Sequence, residues 1–183
     1  ARAVYLLRDA AQIPAWRARF PAATLLWEPL QQIMVPGYGA EFRPALASAD
    51  IVSPNHLEAA LVYGFDDPAA LVRAMLDDGA RIAALRLGAD GSLVGARGQD
   101  ALLLVPAVPV AQVVDQTGAG NTYCGAFLAG WVETGDLVEA SCYGAVAASF
   151  ALEVTGVADP PPDLMAQRAR RYAWVRERVR PLA

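Results

Sequence analysis

Apolar residues fall in two rhythms along this chain. Short runs bounded by Gly, Pro, Asp or Asn read as buried strands. They lie at Val4 to Leu7, Thr24 to Trp27 (stopped by Glu28-Pro29), Asp50 to Ser53, Arg81 to Leu87, Ser92 to Gly95, Ala101 to Val105 and Val108 to Val114. Between them, longer stretches place apolar side chains three and four apart, the helical spacing. The helices are expected over Pro14 to Phe20, Phe42 to Ser48, His56 to Tyr63, Pro68 to Asp78 and Asn121 to Thr134. Two more follow, one opened by Asp136-x-x-Glu139 and running to about Ala151, and one capped by Asp163 and running to Arg180. Asp67 at the N-cap, Pro68 in the first turn and Gly79 at the exit punctuate the Pro68 helix. Gly88-Ala89-Asp90-Gly91 turns one strand back on the next as a hairpin. Pro36-Gly37-Tyr38-Gly39 is a loop, and Pro160-Pro161-Pro162 breaks the chain before the last helix.

Strands alternating with helices predict an α/β fold, a mostly parallel sheet with helices on both faces, and a ligand crevice at the carboxyl ends of the strands. The length of 183 residues suits a single domain with a real core. Apolar residues make up 55 % and charged residues 19 %, with a mean hydropathy of +0.28, so part of the apolar surface is left for a partner. No repeat or low-complexity segment interrupts the pattern. The chain opens on a strand without a Met, as a fragment or processed product would.

All 15 basic residues are Arg. A Walker-type phosphate loop, which needs its Lys, is excluded. A net charge of −4 argues against nucleic acid as a partner. Cys124 and Cys142 with the single His56 cannot build a His/Cys metal site, and reduced buried thiols place the protein in the cytoplasm. No apolar run is long enough for a membrane span, and no Ser-His-Asp arrangement is in sight.

Four stretches carry candidate chemistry. Asp115-Gln116-Thr117-Gly118-Ala119-Gly120-Asn121 follows an apolar run and opens a helix whose Tyr123, Phe127 and Trp131 share one face. Glycines there let the backbone curl until unpaired N–H groups converge, which is an anion site, commonly for phosphate. Asn55-His56-Leu57-Glu58 is a capping box, or an Asn and Glu facing a hydrated Mg²⁺ near phosphates. Leu87-Gly88-Ala89-Asp90-Gly91-Ser92 is an ordinary hairpin turn or a loop over nucleotide phosphates. The Arg-rich tail (Arg168, Arg170, Arg171, Arg176, Arg178, Arg180) is a solvated face, with Tyr172, Trp174, Val175 and Val179 inward, or a surface for an acidic partner. A Rossmann-type binder is the alternative fold, but the chain lacks a Gly-x-Gly-x-x-Gly turn after an early strand.

Taken together, Asn55-x-x-Glu58, Leu87-Gly88-x-x-Gly91 and Asp115-x-Thr117-Gly118-Ala119-Gly120 resemble the C-terminal half of the ribokinase-like (PfkB) sugar kinases. The small-residue helix from Leu137 and Val154-Thr155-Gly156 resemble that family's closing segments. The resemblance runs from Thr24 to Val157. It implies a nucleotide-binding half that takes ATP with Mg²⁺ and phosphorylates a sugar or nucleoside hydroxyl. Asn55 and Glu58 would organise Mg²⁺, Arg86, Gly88, Gly91 and Thr117 would meet the nucleotide, and Gly118, Ala119 and Gly120 would form the anion hole. Asp115 would sit by a monovalent cation such as K⁺ or hold the turn.

Three departures, with one milder variant at Glu28-Pro29, stand against the pattern. The family's catalytic Asp after Gly-Ala-Gly is Asn121 here, and an amide has no usable proton affinity near neutral pH. The residue before Leu-Gly, usually a small hydroxyl in the family, is Arg86, which would touch a phosphate or obstruct the site. Glu28-Pro29 replaces Asp-Pro, as in a divergent branch. The family's sugar-binding and lid segment has no counterpart in these residues. The alternative function is therefore a pseudokinase, a nucleotide-binding or structural subunit. A preceding segment or a partner chain is expected along the Val4–Leu7 and Thr24–Trp27 side of the sheet.

Overall fold

A computed structural model describes residues 1–30, 38–156 and 161–182. Pro36 and Gly37 of the expected loop, Val157 and Pro160 lie outside the described residues.

The strands form one seven-stranded sheet in chain order. They are β1 (Ala3–Arg8), β2 (Thr24–Pro29), β3 (Ile51–Val52), β4 (Ile82–Arg86), β5 (Ser92–Ala96), β6 (Leu102–Val105) and β7 (Arg180–Leu182). Strands β1 to β4 pair in parallel and β4 to β7 pair antiparallel. The α/β class holds, and the sheet is mixed. The chain between parallel neighbours is long enough for a helical crossover, whereas the short Leu87–Gly91 turn can only return antiparallel.

Alternation along the strands feeds two apolar layers. Leu25, Trp27, Val52, Ala83 and Leu85 face one side, against α1 (Ile13–Arg19), α2 (Gly39–Ser48), α3 (His56–Tyr63) and α4 (Pro68–Asp77). Leu26, Ile51, Ile82, Ala84 and Val94 face the other, against α5 (Ala119–Thr134), α6 (Leu137–Ala151) and α7 (Leu164–Arg176). Trp27 and Phe42 are fully buried 5.1 Å apart, and each such side chain contributes roughly 1.5–3 kcal/mol by leaving water.

Local rules set most boundaries. Asp67 accepts from the Ala70 N–H at 2.6 Å at the head of α4. Asn55 and Glu58 form both halves of a capping box on α3. Asp136 caps α6 by accepting from Val138 and Glu139, but the Glu139 carboxylate does not return to the cap. It meets Tyr172 and Arg176 of α7 instead. The Asp163 side chain caps no backbone N–H of α7 and takes the Gln167 side-chain amide at 2.7 Å.

Two expected elements differ. Val108 to Val114 is not a strand: Pro109 has no N–H to donate, and Val113 and Val114 are about half exposed. The Val114 N–H reaches the Leu152 carbonyl at the end of α6, at 2.8 Å. The last helix stops at Arg176 rather than Arg180, because Arg180–Leu182 pairs with β6 as the far edge.

Strands β2, β3 and β4 run the same way, so their carboxyl ends bring Glu28, Ser53 and Arg86 to one end of the sheet. Asn55 bridges to Arg86 beside them.

Candidate functional site

A cleft of about 600 Å³ opens at this end of the sheet, within the range of roughly 300–1,000 Å³ usual for small-molecule sites. One wall comes from Asn55, Arg86 and the β4–β5 turn at Gly88 and Gly91. Ala119, Gly120 and Tyr123 of α5 form the opposite wall, with Ala145, Ala148 and Ser149 of α6 behind them. Val108, Val110 and Val113 close the apolar side. Here the apolar run that failed to become a strand finds its use.

The β4–β5 turn is possible only with glycine at its end. Gly91 has φ +94°, and a Cβ there would stand 2.0 Å from the Val105 carbonyl oxygen. The turn is held by the Leu87 N–H on the Gly91 carbonyl at 2.8 Å.

The Asp115–Gly120 turn builds the head of α5. Asp115 accepts from the Thr117 N–H at 2.8 Å, and the bonds from Thr117 hold its carboxyl below the usual range. Gly118, at φ +84°, is the N-cap. The Ala119 N–H is taken by the Gln116 carbonyl at 3.2 Å, and the Thr122 N–H is the first to return to the turn, on Gly118 at 2.9 Å. Among the described residues the N–H groups of Gly118, Gly120 and Asn121 therefore have no acceptor. The free donors at this helix head are these three, whereas the Ala119 N–H, expected among them, is already taken by Gln116. They carry the partial positive charge of a helix N-terminus at the wall of the cleft.

Beneath Gly120 lies a charged cluster that no local spacing announces. The Arg86 guanidinium, 13 % exposed, pairs through Nη1 with Glu28 Oε1 at 2.8 Å and through Nη2 with Glu58 Oε2 at 3.8 Å. Nη2 also donates to the Ser53 carbonyl at 2.9 Å. Arg86 Nε is buried and has no partner among the described residues. Glu28 also accepts from the Tyr5 hydroxyl, and burial raises the pKa of Tyr5. Burial likewise raises the pKa of Glu58, although the Asn55 N–H and Arg86 favour its anion. It also pushes the neighbouring Cys124 thiol up to about 12, so Cys124 is a neutral thiol beside Arg86.

The expected site residues divide accordingly. Asn55, Arg86, Gly88, Gly91, Ala119 and Gly120 line the cleft. Gly118 and Thr117 shape the turn, and Asn121 stands exposed on the first turn of α5. Asp115 holds the turn. Glu28, Tyr123, Ser92 and the small residues of α6 were absent from the expected site. For the α6 residues the alternation of Ala, Gly and Ser along Leu137–Ala151 was the only sequence signal.

A divalent cation held by Asn55 and Glu58 does not fit this arrangement. Asn55 Oδ1 accepts from the Glu58 N–H, and Glu58 Oε2 accepts from the Asn55 N–H, both at 2.8 Å. Glu58 is 6 % exposed and faces Arg86. Among the described residues no three His, Cys, Asp or Glu side chains converge as metal ligands.

Comparison with known proteins places this geometry. The pattern of the pfkB family of carbohydrate kinases matches residues 34–164. A Schizosaccharomyces pombe protein is 32 % identical over 158 residues, covering 73 % of this chain and 44 % of that protein. Ribokinase of Arabidopsis thaliana is 33 % identical over 123 residues, 64 % of this chain and 32 % of its own. The chain thus spans less than half the length of these relatives. The solved Arabidopsis ribokinase, complexed with ribose and ATP, superposes with a TM-score of 0.75 at 27 % identity, over 94 % of this chain and 56 % of that one. Adenosine kinase of Sinorhizobium meliloti, at 24 % identity and a TM-score of 0.76 over 92 % of this chain and 54 % of that one, shares the fold.

Proposed function

This chain belongs to the pfkB family of carbohydrate kinases, and from that premise we propose that its cleft binds the phosphates of ATP or ADP at the head of α5. In that reading the protein transfers the γ-phosphoryl group to a sugar or nucleoside hydroxyl. The supporting observation is the trio of unpaired N–H groups at Gly118, Gly120 and Asn121 beside the Arg86 guanidinium. Unpaired N–H donors at a helix head suit a phosphate, and phosphoryl transfer depends mainly on such positioning and charge. The apolar wall of Val108, Val110 and Val113 suits a purine face. The acceptor hydroxyl would attack phosphorus in line as the bond to the bridging oxygen of the diphosphate breaks, and its proton must leave to a base.

Asn121 favours a second reading. With an amide where the family has a carboxylate, the protein is a catalytically impaired nucleotide binder that uses the fold as a scaffold. Both readings require the cleft to take nucleotide. Calorimetric titration of the protein, as expressed in its own cell, with ATP and ADP is expected to show saturable binding that Gly118→Ala weakens. Absence of saturable binding with either nucleotide would remove both the kinase and the nucleotide-binding scaffold.

A further inference from the structure

The place where the carboxylates of Glu28 and Glu58 converge already holds a positive charge. We propose that the Arg86 guanidinium is the resident cation of this site, standing where a divalent metal would have to sit and closing the site to one. Its Nη1 is 2.8 Å from Glu28 Oε1 and its Nη2 is 3.8 Å from Glu58 Oε2. The Ser53 carbonyl also accepts from Nη2 at 2.9 Å. From above, the backbone of Gly120 lies so close that a Cβ there would be 1.9 Å from Nη1. Glu28 is also held by Tyr5, and Glu58 by the Asn55 N–H.

The chemistry of the group makes this occupancy permanent. A guanidinium cannot lose its proton in a protein, so it does not vacate the site by neutralising. A divalent ion added beside it would meet a fixed like charge and two carboxylates already paired. Arg also differs from a mobile metal in direction. Its planar fork is pinned under the turn by Glu28, Glu58 and the Ser53 carbonyl, so its charge stays fixed against those carboxylates.

Mn²⁺ is the probe, read as loss of its free-ion electron paramagnetic resonance signal on adding protein without nucleotide. The wild-type protein is expected to leave that signal unchanged. Arg86→Thr, checked for native secondary structure by circular dichroism, is expected to take up one Mn²⁺ per chain, and Arg86→Thr with Glu58→Gln to lose it. Wild-type protein that takes up one Mn²⁺ per chain, sensitive to Glu58→Gln, overturns the proposal. So does a folded Arg86→Thr that takes up none. Should Arg86→Thr not fold, the wild-type Mn²⁺ result and an ADP titration decide. ADP affinity equal in EDTA and in Mg²⁺ supports the resident cation, and ADP binding abolished by EDTA overturns it. Only this ADP arm rests on reading the cleft as a nucleotide site. If ADP binds under neither condition that reading fails, while the Mn²⁺ arm still judges Arg86.

Discussion

Asn121 and Asp115 act within a few ångströms of one turn, and each makes a single-residue prediction. Asn121 stands on the first turn of α5 with its side chain exposed, so an Asp fits there without repacking and gains the favourable end of the helix dipole. In the kinase reading, a carboxylate at this position would give the acceptor hydroxyl a base. Asn121→Asp is expected to raise phosphoryl transfer about 10²-fold, measured with a panel of sugars and nucleosides. An unchanged rate would favour the scaffold. Asp115 sets the turn's acid limit. Its carboxyl is held below 3.8 by the Thr117 N–H and then the Thr117 hydroxyl. The folded value lies below the unfolded one, so the anion steadies the turn at all pH above the unfolded value and ceases to do so as pH falls through the folded value. The Thr117 amide resonance is expected to titrate with a midpoint under 3.8, and Asp115→Asn to abolish that titration.

At the scale of elements, the site is a junction between the head of α5 and the ends of β2 and β4, and Gly120 is where they touch. A methyl group there would lie 1.9 Å from Arg86 Nη1 and 3.4 Å from Glu28 Oε1. Elsewhere a long side chain would swing aside, but this one is held on three sides. Gly120→Ala is expected to cost about 1–3 kcal/mol in urea denaturation. A loss within error would mean that the guanidinium moves freely. This junction was only half legible in the sequence. The turn, its glycines and the capping box of Asn55 and Glu58 obey local rules that a short window contains. Glu28, Glu58 and Arg86 sit at three strand or helix ends far apart in the chain, and only strand order makes them neighbours. Strand β7 was missed because Arg180–Leu182 is short, exposed and without alternation. Val108 to Val114 misled for the opposite reason, since its apolar side chains serve the cleft and not a ladder.

For the whole molecule, the alternation of strands and helices indicated the class and helices on both faces, but not which strand would be an edge. Thr24–Trp27 was expected to share the open side, yet β2 is enclosed between β1 and β3. Strand β1 alone presents a free edge there, with Val4, Tyr5 and Leu7 only half buried and no Pro to blunt it. At the other end, β7 carries Pro181 and an exposed Arg180. The 183 residues by themselves are expected to associate with a second copy through β1. Size-exclusion chromatography would show species larger than a monomer, and slow amide exchange over Ala3–Arg8 would appear only in them. A sharp monomer peak with that strand equally protected would count against it.

Strand order repeats chain order from β1 to β6, and this fixes a schedule for synthesis. As the polypeptide leaves the ribosome, each strand after β1 meets a partner that has already emerged, so the sheet can grow in the direction of translation. Glu28, Glu58 and Arg86 are all outside the exit tunnel before α5 follows them. Until it does, the face formed by Leu26, Ile51, Ile82, Ala84 and Val94 has no cover. A nascent chain stalled short of α5 would present that face to chaperones and proteases, with the Glu28–Arg86–Glu58 cluster assembled and no helix yet above it.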